Sequence, residues 1–237
     1  MFTYGLNQGV KFVAPIFIWV IEGAEARVVV DAGMWPPDWP AAGKHQAVTQ
    51  TPDQEPATAL RAVGCPPEDV DIVLLSHLHA DHIHNLELFK RARIYVQARE
   101  LRYAVAPLSV HTRFQEKHSE GGTPPYIRVF DQLALLDGDQ EIVPGITSIL
   151  LPGHSPGGMG VAVETAEGPY IIAGDLISVY ENWEGHSEQG VKHVMPGAHY
   201  SLEECQRSYA KLEELERQGY RILPAHDPRV LEHETYP

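Results

Sequence analysis

The chain has 237 residues, 43% hydrophobic and 21% charged, so it can bury a substantial core. Acidic residues outnumber basic ones 32 to 18, and no lysine or arginine cluster stands out, which argues against a nucleic-acid-binding surface. The apolar run Phe12–Ile21 is too short to span a bilayer, and Met1–Lys11 lacks the pattern of a secretion signal. Cys65 and Cys205 are far apart and outside any metal-binding spacing, which predicts free thiols. We therefore expect a cytoplasmic protein that binds neither nucleic acid nor membranes.

The first half of the chain predicts four strands and two helices from its apolar runs and turn residues. A Trp- and Pro-rich loop is predicted from Met34 to about Gln54, and residues 105–130 give no clean period and are predicted to form a loop with helical pieces. The predicted strands are Val13–Ile21, Arg27–Asp31, Asp71–Ser76 and Arg93–Gln97, and the predicted helices are Pro56–Gly64 and one that starts near Ala98.

The second half predicts five strands and one long helix. Ser201 and Glu204 form a capping box at the start of this helix, which should run to about Gln218 and stop at Gly219. Strands dominate both halves, which predicts an α+β fold in one domain over residues 1–237. In this fold two sheets pack face to face with helices outside, as an αββα sandwich. The strands are predicted at Ala134–Leu136, Ile146–Leu151, Gly160–Glu164, Tyr170–Ala173 and Tyr220–Leu223.

A histidine-rich loop follows the predicted strand Asp71–Ser76. It contains His77, His79, Asp81 and His82 within six residues, and chance clustering of such residues is rare. Because side chains alternate along an extended segment, His77 and His79 should point the same way, while Asp81 and His82 can turn to a second position. Imidazole and carboxylate suit zinc, with iron, manganese and cobalt as alternatives.

Three more residues of metal-ligand type each follow an apolar strand. They are His154, Asp175 and His226, and each alone is a weak signal. Together with the histidine-rich loop they place ligands at four strand ends, as expected if these ends converge on one edge. Seven ligands are too many for one tetrahedral zinc, so we expect two divalent metal ions.

The order of these motifs resembles the metallo-β-lactamase superfamily over essentially the whole chain. The motifs are His-x-His-x-Asp-His (77–82), Gly-His-Ser-Pro-Gly (153–157), Gly-Asp (174–175) and Ala-His-Asp (225–227). The resemblance implies the metallo-β-lactamase fold, with Asp175 bridging the two ions. It further implies that His77, His79 and His154 hold one metal, that Asp81, His82 and His226 hold the other, and that Asp31 accepts a hydrogen bond from a ligand imidazole.

Within the superfamily, the chain resembles the N-acyl-homoserine lactone lactonases. The matching stretches are Ile94–Gln97 with Glu100, Val143–Ile146, Pro152–Gly157 and Glu181–Glu184. This resemblance implies a hydrolase that opens a lactone with a metal-bridging hydroxide, acting on a small acyl substrate as a monomer or homodimer. The alternative is a metallo-hydrolase of another ester, a thioester or a β-lactam-like amide.

The chain departs from the lactonase pattern in two places. Those lactonases carry a tyrosine three residues after the bridging aspartate, where this chain has Ser178, and the nearest tyrosine is Tyr180. Tyr180 is therefore the candidate donor to the substrate carbonyl, with Asp81 as a second catalytic candidate that steers a proton to the leaving oxygen. His84 stands where many relatives have glycine, and its role is left open.

Overall fold

A computed structural model describes residues 2–39, 48–114 and 123–237. The chain divides into two compact units, each built on one five-stranded sheet. The first unit comprises Ile18–Val96 and Leu101–Leu136, and the second comprises Met1–Phe17, Gln97–Glu100 and Asp137–Pro237. A single domain over residues 1–237 stays a prediction.

The sheet of the first unit has the order β1-β2-β3-β4-β5. β1 pairs antiparallel with β2, whereas β2, β3 and β4 are parallel to one another. β2 and β3 are three-residue apolar runs buried on both faces, as is typical of parallel strands. The strands are Trp19–Ile21 (β1), Val28–Val30 (β2), Ile72–Leu74 (β3), Arg93–Gln97 (β4) and Leu133–Leu136 (β5). The helices are Pro56–Ala62 (α1), Ala80–Ile83 (α2), Ala98–Val105 (α3) and Pro125–Arg128 (α4), with 3-10 turns at Pro52–Gln54, Pro67–Asp69, Leu86–Leu88, Thr112–Phe114 and Phe130–Gln132.

The sheet of the second unit has the order β10-β9-β8-β7-β6. β10 is parallel to β9, and the other neighbours are antiparallel. The strands are Gln140–Val143 (β6), Ile146–Leu150 (β7), Met159–Val163 (β8), Tyr170–Ile172 (β9) and Arg221–Leu223 (β10). The helices are Tyr180–Glu184 (α5) and Leu202–Arg217 (α6), with 3-10 turns at Gly174–Ile177, Ser187–Gln189 and Pro228–Glu232.

Each unit has its own apolar core. In the first unit, Val29, Val73 and Ile94 of three adjacent strands join Leu78 and Phe89 in one fully buried cluster. In the second unit, Tyr209 and Leu212 of α6 pack with Ile171 of β9. The buried Tyr209 hydroxyl lies 3.1 Å from the carbonyl oxygens of both Leu176 and Val194, so its polar group is satisfied.

Most predicted elements are confirmed within one or two residues, including the Ser201 cap, whose hydroxyl accepts from the Glu204 amide. The predicted strand Val13–Ile21 is wrong over most of its length, because only Trp19–Ile21 pairs with β2. The side chain of Val13 is 81% exposed, so the apolar run there does not mark burial. Pro15 lies in this irregular stretch, where it has no amide hydrogen to give to a sheet.

Neither β6 nor α5 was predicted. β6 lies at the edge of its sheet and begins with exposed Gln140 and Glu141, so it lacks the apolar run of a buried strand. The segment after Asp175 forms a 3-10 turn followed by α5, so side-chain alternation does not decide where Tyr180 points. The predicted loop Met34–Gln54 and the predicted loop 105–130 lie partly outside the described residues, at 40–47 and 115–122.

Two predictions from composition concern membranes and the cysteines. In the described parts of the chain, no helix is both long enough and apolar enough to cross a membrane. Cys65 and Cys205 are free thiols, as predicted, and both are buried. Burial raises the pKa of Cys65 and raises that of Cys205 to about 12.

These buried thiols should resist modification in the native protein. The thiolate is the reactive form, and a raised pKa moves its formation to higher pH, so at pH 8 neither cysteine should react quickly with an aromatic disulfide reagent. In denaturant, two thiols per chain should react at once. A native thiol that reacts at pH 8 as fast as a small free thiol would contradict the burial of Cys65 and Cys205.

Candidate metal centre

The histidine-rich loop of the first unit leaves β3 at its carboxyl end. Leu78 is fully buried in the apolar core, which directs His77 and His79 on either side of it away from that core. The rings of His77 and His79 lie 4.4 Å apart between centroids. The prediction that these two imidazoles point the same way is therefore confirmed.

The short helix α2 brings two further candidate ligands to the same loop. The His82 ring lies 4.2 Å from the His77 ring between centroids, and its Nε2 atom is 3.8 Å from Asp81 Oδ2. His82 is buried, whereas the Asp81 side chain is 25% exposed. Asp81 is therefore the more exposed of these two candidate ligands.

Asp31 orients this group of imidazoles. Its Oδ2 atom lies 2.7 Å from His82 Nδ1, and its two oxygens accept from the amide and the hydroxyl of Ser76, each at 2.8 Å. The Ser76 hydroxyl can then accept from His77 Nδ1 at 3.1 Å. With Nδ1 donating to these acceptors, Nε2 is the nitrogen left to bind a metal. The predicted role of Asp31 is confirmed, whereas the part played by Ser76 was not predicted.

His154 of the second unit lies in a tight loop after β7. Gly153 has a φ of 142°, and a Cβ there would lie 2.5 Å from the Cys205 amide nitrogen, so only glycine fits. The Tyr200 amide lies 2.8 and 2.9 Å from the carbonyl oxygens of Gly153 and His154. The imidazole Nδ1 donates to the Ala198 carbonyl at 2.8 Å, which again leaves Nε2 as the nitrogen able to bind a metal.

Asp175 and His226 follow two neighbouring parallel strands, β9 and β10, whose carboxyl ends share one edge of the sheet. The His226 amide donates to the Ser178 carbonyl at 2.8 Å, and His226 Nδ1 donates to the Pro15 carbonyl at 2.9 Å. Asp175 Oδ1 lies 3.0 Å from His226 Nε2, and Asp175 Oδ2 lies 3.5 Å from His154 Nε2. Each carboxylate oxygen therefore faces a different imidazole.

This geometry fits divalent metals. Nδ1 of His154 and Nδ1 of His226 both donate to carbonyl oxygens. Each ring, when neutral, therefore presents the lone pair of Nε2 to the Asp175 carboxylate, which is favourable only with a cation or proton between them. Two ligand atoms at about 2.0–2.1 Å from a tetrahedral ion lie roughly 3.3–3.4 Å apart, close to the observed separations. The histidine and aspartate side chains thus form groups able to hold metal ions.

The two candidates for the lactonase tyrosine lie in different surroundings. Ser178 is buried, and its hydroxyl donates to the Asp175 carbonyl at 3.1 Å. The Tyr180 ring packs 4.2 Å from the Arg229 guanidinium carbon. Burial is the main reason that the pKa of Tyr180 is raised to about 12, and Tyr236 adds to it. The Tyr180 phenol therefore stays protonated, as a hydrogen-bond donor, across the physiological range.

Three aromatic contacts near the histidine-rich loop were not predicted. Phe114 stacks on His79, with ring centroids 5.2 Å apart, and it comes from the stretch 105–130 that gave no periodic signal. His84 packs edge-on against Trp39 at 4.6 Å and against Trp35 at 6.2 Å. The side chain of His84 thus contacts the Trp-rich loop.

Comparison with known proteins gives a consistent result. The sequence pattern of the metallo-beta-lactamase superfamily matches residues 13–225. An N-acyl homoserine lactonase of Rhizobium radiobacter is 30% identical over 80% of this chain and 67% of its own length, and one of Bacillus cereus is 26% identical over 76% and 70%. A crystal structure of a quorum-quenching N-acyl homoserine lactone hydrolase is 25% identical with a TM-score of 0.72, covering 94% of this chain and 84% of that one. The predicted fold class is confirmed.

Replacing Asp31 by asparagine should weaken metal binding with little change in shape. The amide lacks the charge and one of the acceptor atoms that hold His82 and Ser76, and loss of such a partner costs about 10–100-fold in metal affinity. Competition with a chromogenic chelator measures the effect. Asp69→Asn, the same exchange in an exposed pair with Arg27, is the control. Equal affinities for the two variants would contradict the role of Asp31.

Proposed function

Since the chain belongs to the metallo-β-lactamase superfamily and is a metal-dependent hydrolase, we propose that it opens the ring of an N-acyl-homoserine lactone or a related cyclic ester. The relatives named as N-acyl homoserine lactonases support this substrate class. The observation that carries the proposal is the Asp175 carboxylate, whose two oxygens face two different imidazoles. A carboxylate so placed can serve one metal ion through each oxygen.

In this proposal the chain holds two divalent ions. His77, His79 and His154 bind one, Asp81, His82 and His226 bind the other, and Asp175 is shared. The hydrogen bonds that leave Nε2 as the ligand atom of His82, His154 and His226 support this assignment. Zinc suits the donor set, with iron, manganese and cobalt as alternatives.

When bound, the two ions supply an activated water near neutral pH and an electrophile for the substrate carbonyl. The water oxygen bonds to the carbonyl carbon, the ring carbon–oxygen bond breaks, and the water proton goes to the ring oxygen. The partly exposed Asp81 carboxylate moves this proton. The Tyr180 hydroxyl donates a hydrogen bond to the carbonyl oxygen as its charge grows.

A second substrate class is favoured by one observation. The Ser178 hydroxyl, at the lactonase tyrosine position, donates to the Asp175 carbonyl. If Tyr180 does not replace that tyrosine, the same metal site can hydrolyse another ester, a thioester or a β-lactam-like amide. In either case we propose a single cytoplasmic domain, monomeric or homodimeric, acting on a small acyl compound.

The chain should hold about two metal ions, and Asp175→Ala should lose more metal and more activity than Asp81→Ala. Asp175 faces two ligand imidazoles, whereas Asp81 lies beside His82. Elemental analysis of metal-saturated protein and initial rates on an activated ester measure both effects. One ion per wild-type chain, unchanged by added metal, would reject the dinuclear site. Normal metal content in Asp175→Ala would reject the shared ligand.

A panel of lactones, thioesters and β-lactams, assayed by acid release, should show fastest turnover for a lactone. On that lactone, Tyr180→Phe should lower the rate about a hundredfold with both metals retained, because one hydrogen bond to the developing oxyanion is lost. Tyr220→Phe, which removes a hydroxyl bonded to Glu164, is the control. Unchanged turnover in Tyr180→Phe would make Tyr180 a bystander, and fastest turnover of a thioester or amide would favour the second class.

A further inference from the structure

Helix α5 carries the stretch Glu181–Glu184, which no step of the proposed reaction uses. Three of its four side chains reach outward to other segments. Glu181 accepts from Asn7 at 2.7 Å, the Trp183 indole donates to Glu216 at 2.9 Å, and Glu184 pairs with Arg229 at 2.8 Å. The fourth, Asn182, is completely buried.

The Asn182 side chain joins three segments of the second unit. Its Oδ1 atom accepts from the Val179 amide at 2.9 Å, and its two Nδ2 hydrogens go to the carbonyls of Phe2, at 2.9 Å, and Val194, at 3.0 Å. The Val194 amide returns a hydrogen bond to the Asn182 carbonyl at 3.0 Å. Both donors of the amide are therefore used on backbone carbonyls, which neither aspartate nor alanine can reproduce.

The two segments that Asn182 holds also carry the acceptors for the metal-ligand histidines. Pro15, in the segment that begins at Phe2, accepts from His226 Nδ1 at 2.9 Å, and Ala198, four residues after Val194, accepts from His154 Nδ1 at 2.8 Å. The Phe2 ring lies 5.5 Å from the His226 ring between centroids.

These segments have no regular secondary structure of their own. Residues 2–17 and 192–200 are described throughout and contain neither helix nor strand. Two backbone hydrogen bonds join them, from Tyr4 to Met195 at 2.9 Å and from Gly197 to Phe2 at 3.2 Å. Without a helix or sheet to fix the carbonyls of Pro15 and Ala198, their positions depend on such cross-links.

We propose that Asn182 is a positioning residue for the metal centre. By holding both irregular segments, it keeps the Pro15 and Ala198 carbonyls on the Nδ1 atoms of His226 and His154. Both imidazoles then present Nε2 toward Asp175. This inference rests on the metal binding of the proposed function and is independent of which substrate is hydrolysed.

The test compares two exchanges of the same kind. Asn182→Asp removes two donors to backbone carbonyls, and the matched control Gln132→Glu does the same in the first unit, where Gln132 donates to Phe89 and Ala92. Chelator competition should show metal affinity about 10–100-fold lower in Asn182→Asp and within about twofold of wild type in the control. Asn182→Ala, which adds no charge, should weaken binding in the same direction if Asn182→Asp does not fold.

A second readout follows the ring nitrogens of His154 and His226 directly. Long-range proton–nitrogen correlation spectra of zinc-loaded wild-type protein at one alkaline pH should show His154 and His226 with Nδ1 protonated, and a folded Asn182 variant should show a mixture of ring-nitrogen environments. Nε2-protonated His154 or His226 in the wild type would overturn the inference. So would a folded Asn182 variant that binds metal as tightly as Gln132→Glu. Wild-type protein that binds no metal would instead reject the proposed function itself.

Discussion

The Asp175 carboxylate and the two imidazole nitrogens that face it set the constraint on which the site depends. A carboxylate 3.0 and 3.5 Å from nitrogens whose ring partners are already hydrogen-bonded needs positive charge in the intervening space. Burial makes this need stronger, because an uncompensated charge away from water is costly. Much of the surrounding structure serves to keep those groups from turning away from one another.

Each unit orients its candidate ligand imidazoles by a different kind of support. In the first unit a single side chain, Asp31, holds Ser76 and His82 through short hydrogen bonds. This support requires a carboxylate, so it depends on the residue type. In the second unit the supports are backbone carbonyls of Pro15 and Ala198, whose residue types do not matter to the contact. The side chain of Asn182 acts on those carbonyls indirectly, by binding Phe2 and Val194 in the same two segments.

This difference explains how far the sequence could be read. His77, His154, Asp175 and His226 could be identified as candidate ligands, because each follows an apolar run and carries a side chain of ligand type. The carbonyls of Pro15 and Ala198 left no trace, since every residue has one and the contact depends on folding. Similarly, α5 has only five residues and no hydrophobic period. The sequence therefore showed its resemblance to lactonases but not the hydrogen bonds that its side chains make.

The pairing of Pro15 with His226 has a consequence for the order of events during synthesis. These residues are 211 positions apart, and Phe2 and Asn182 are 180 apart, so the second unit cannot form its histidine supports until most of the chain has been made. The cluster of Asp31, Ser76 and His82 spans at most 51 positions and can form much earlier on the ribosome. The segment from Phe2 to Pro15 therefore stays without these contacts until the chain from Asn182 to His226 has been made.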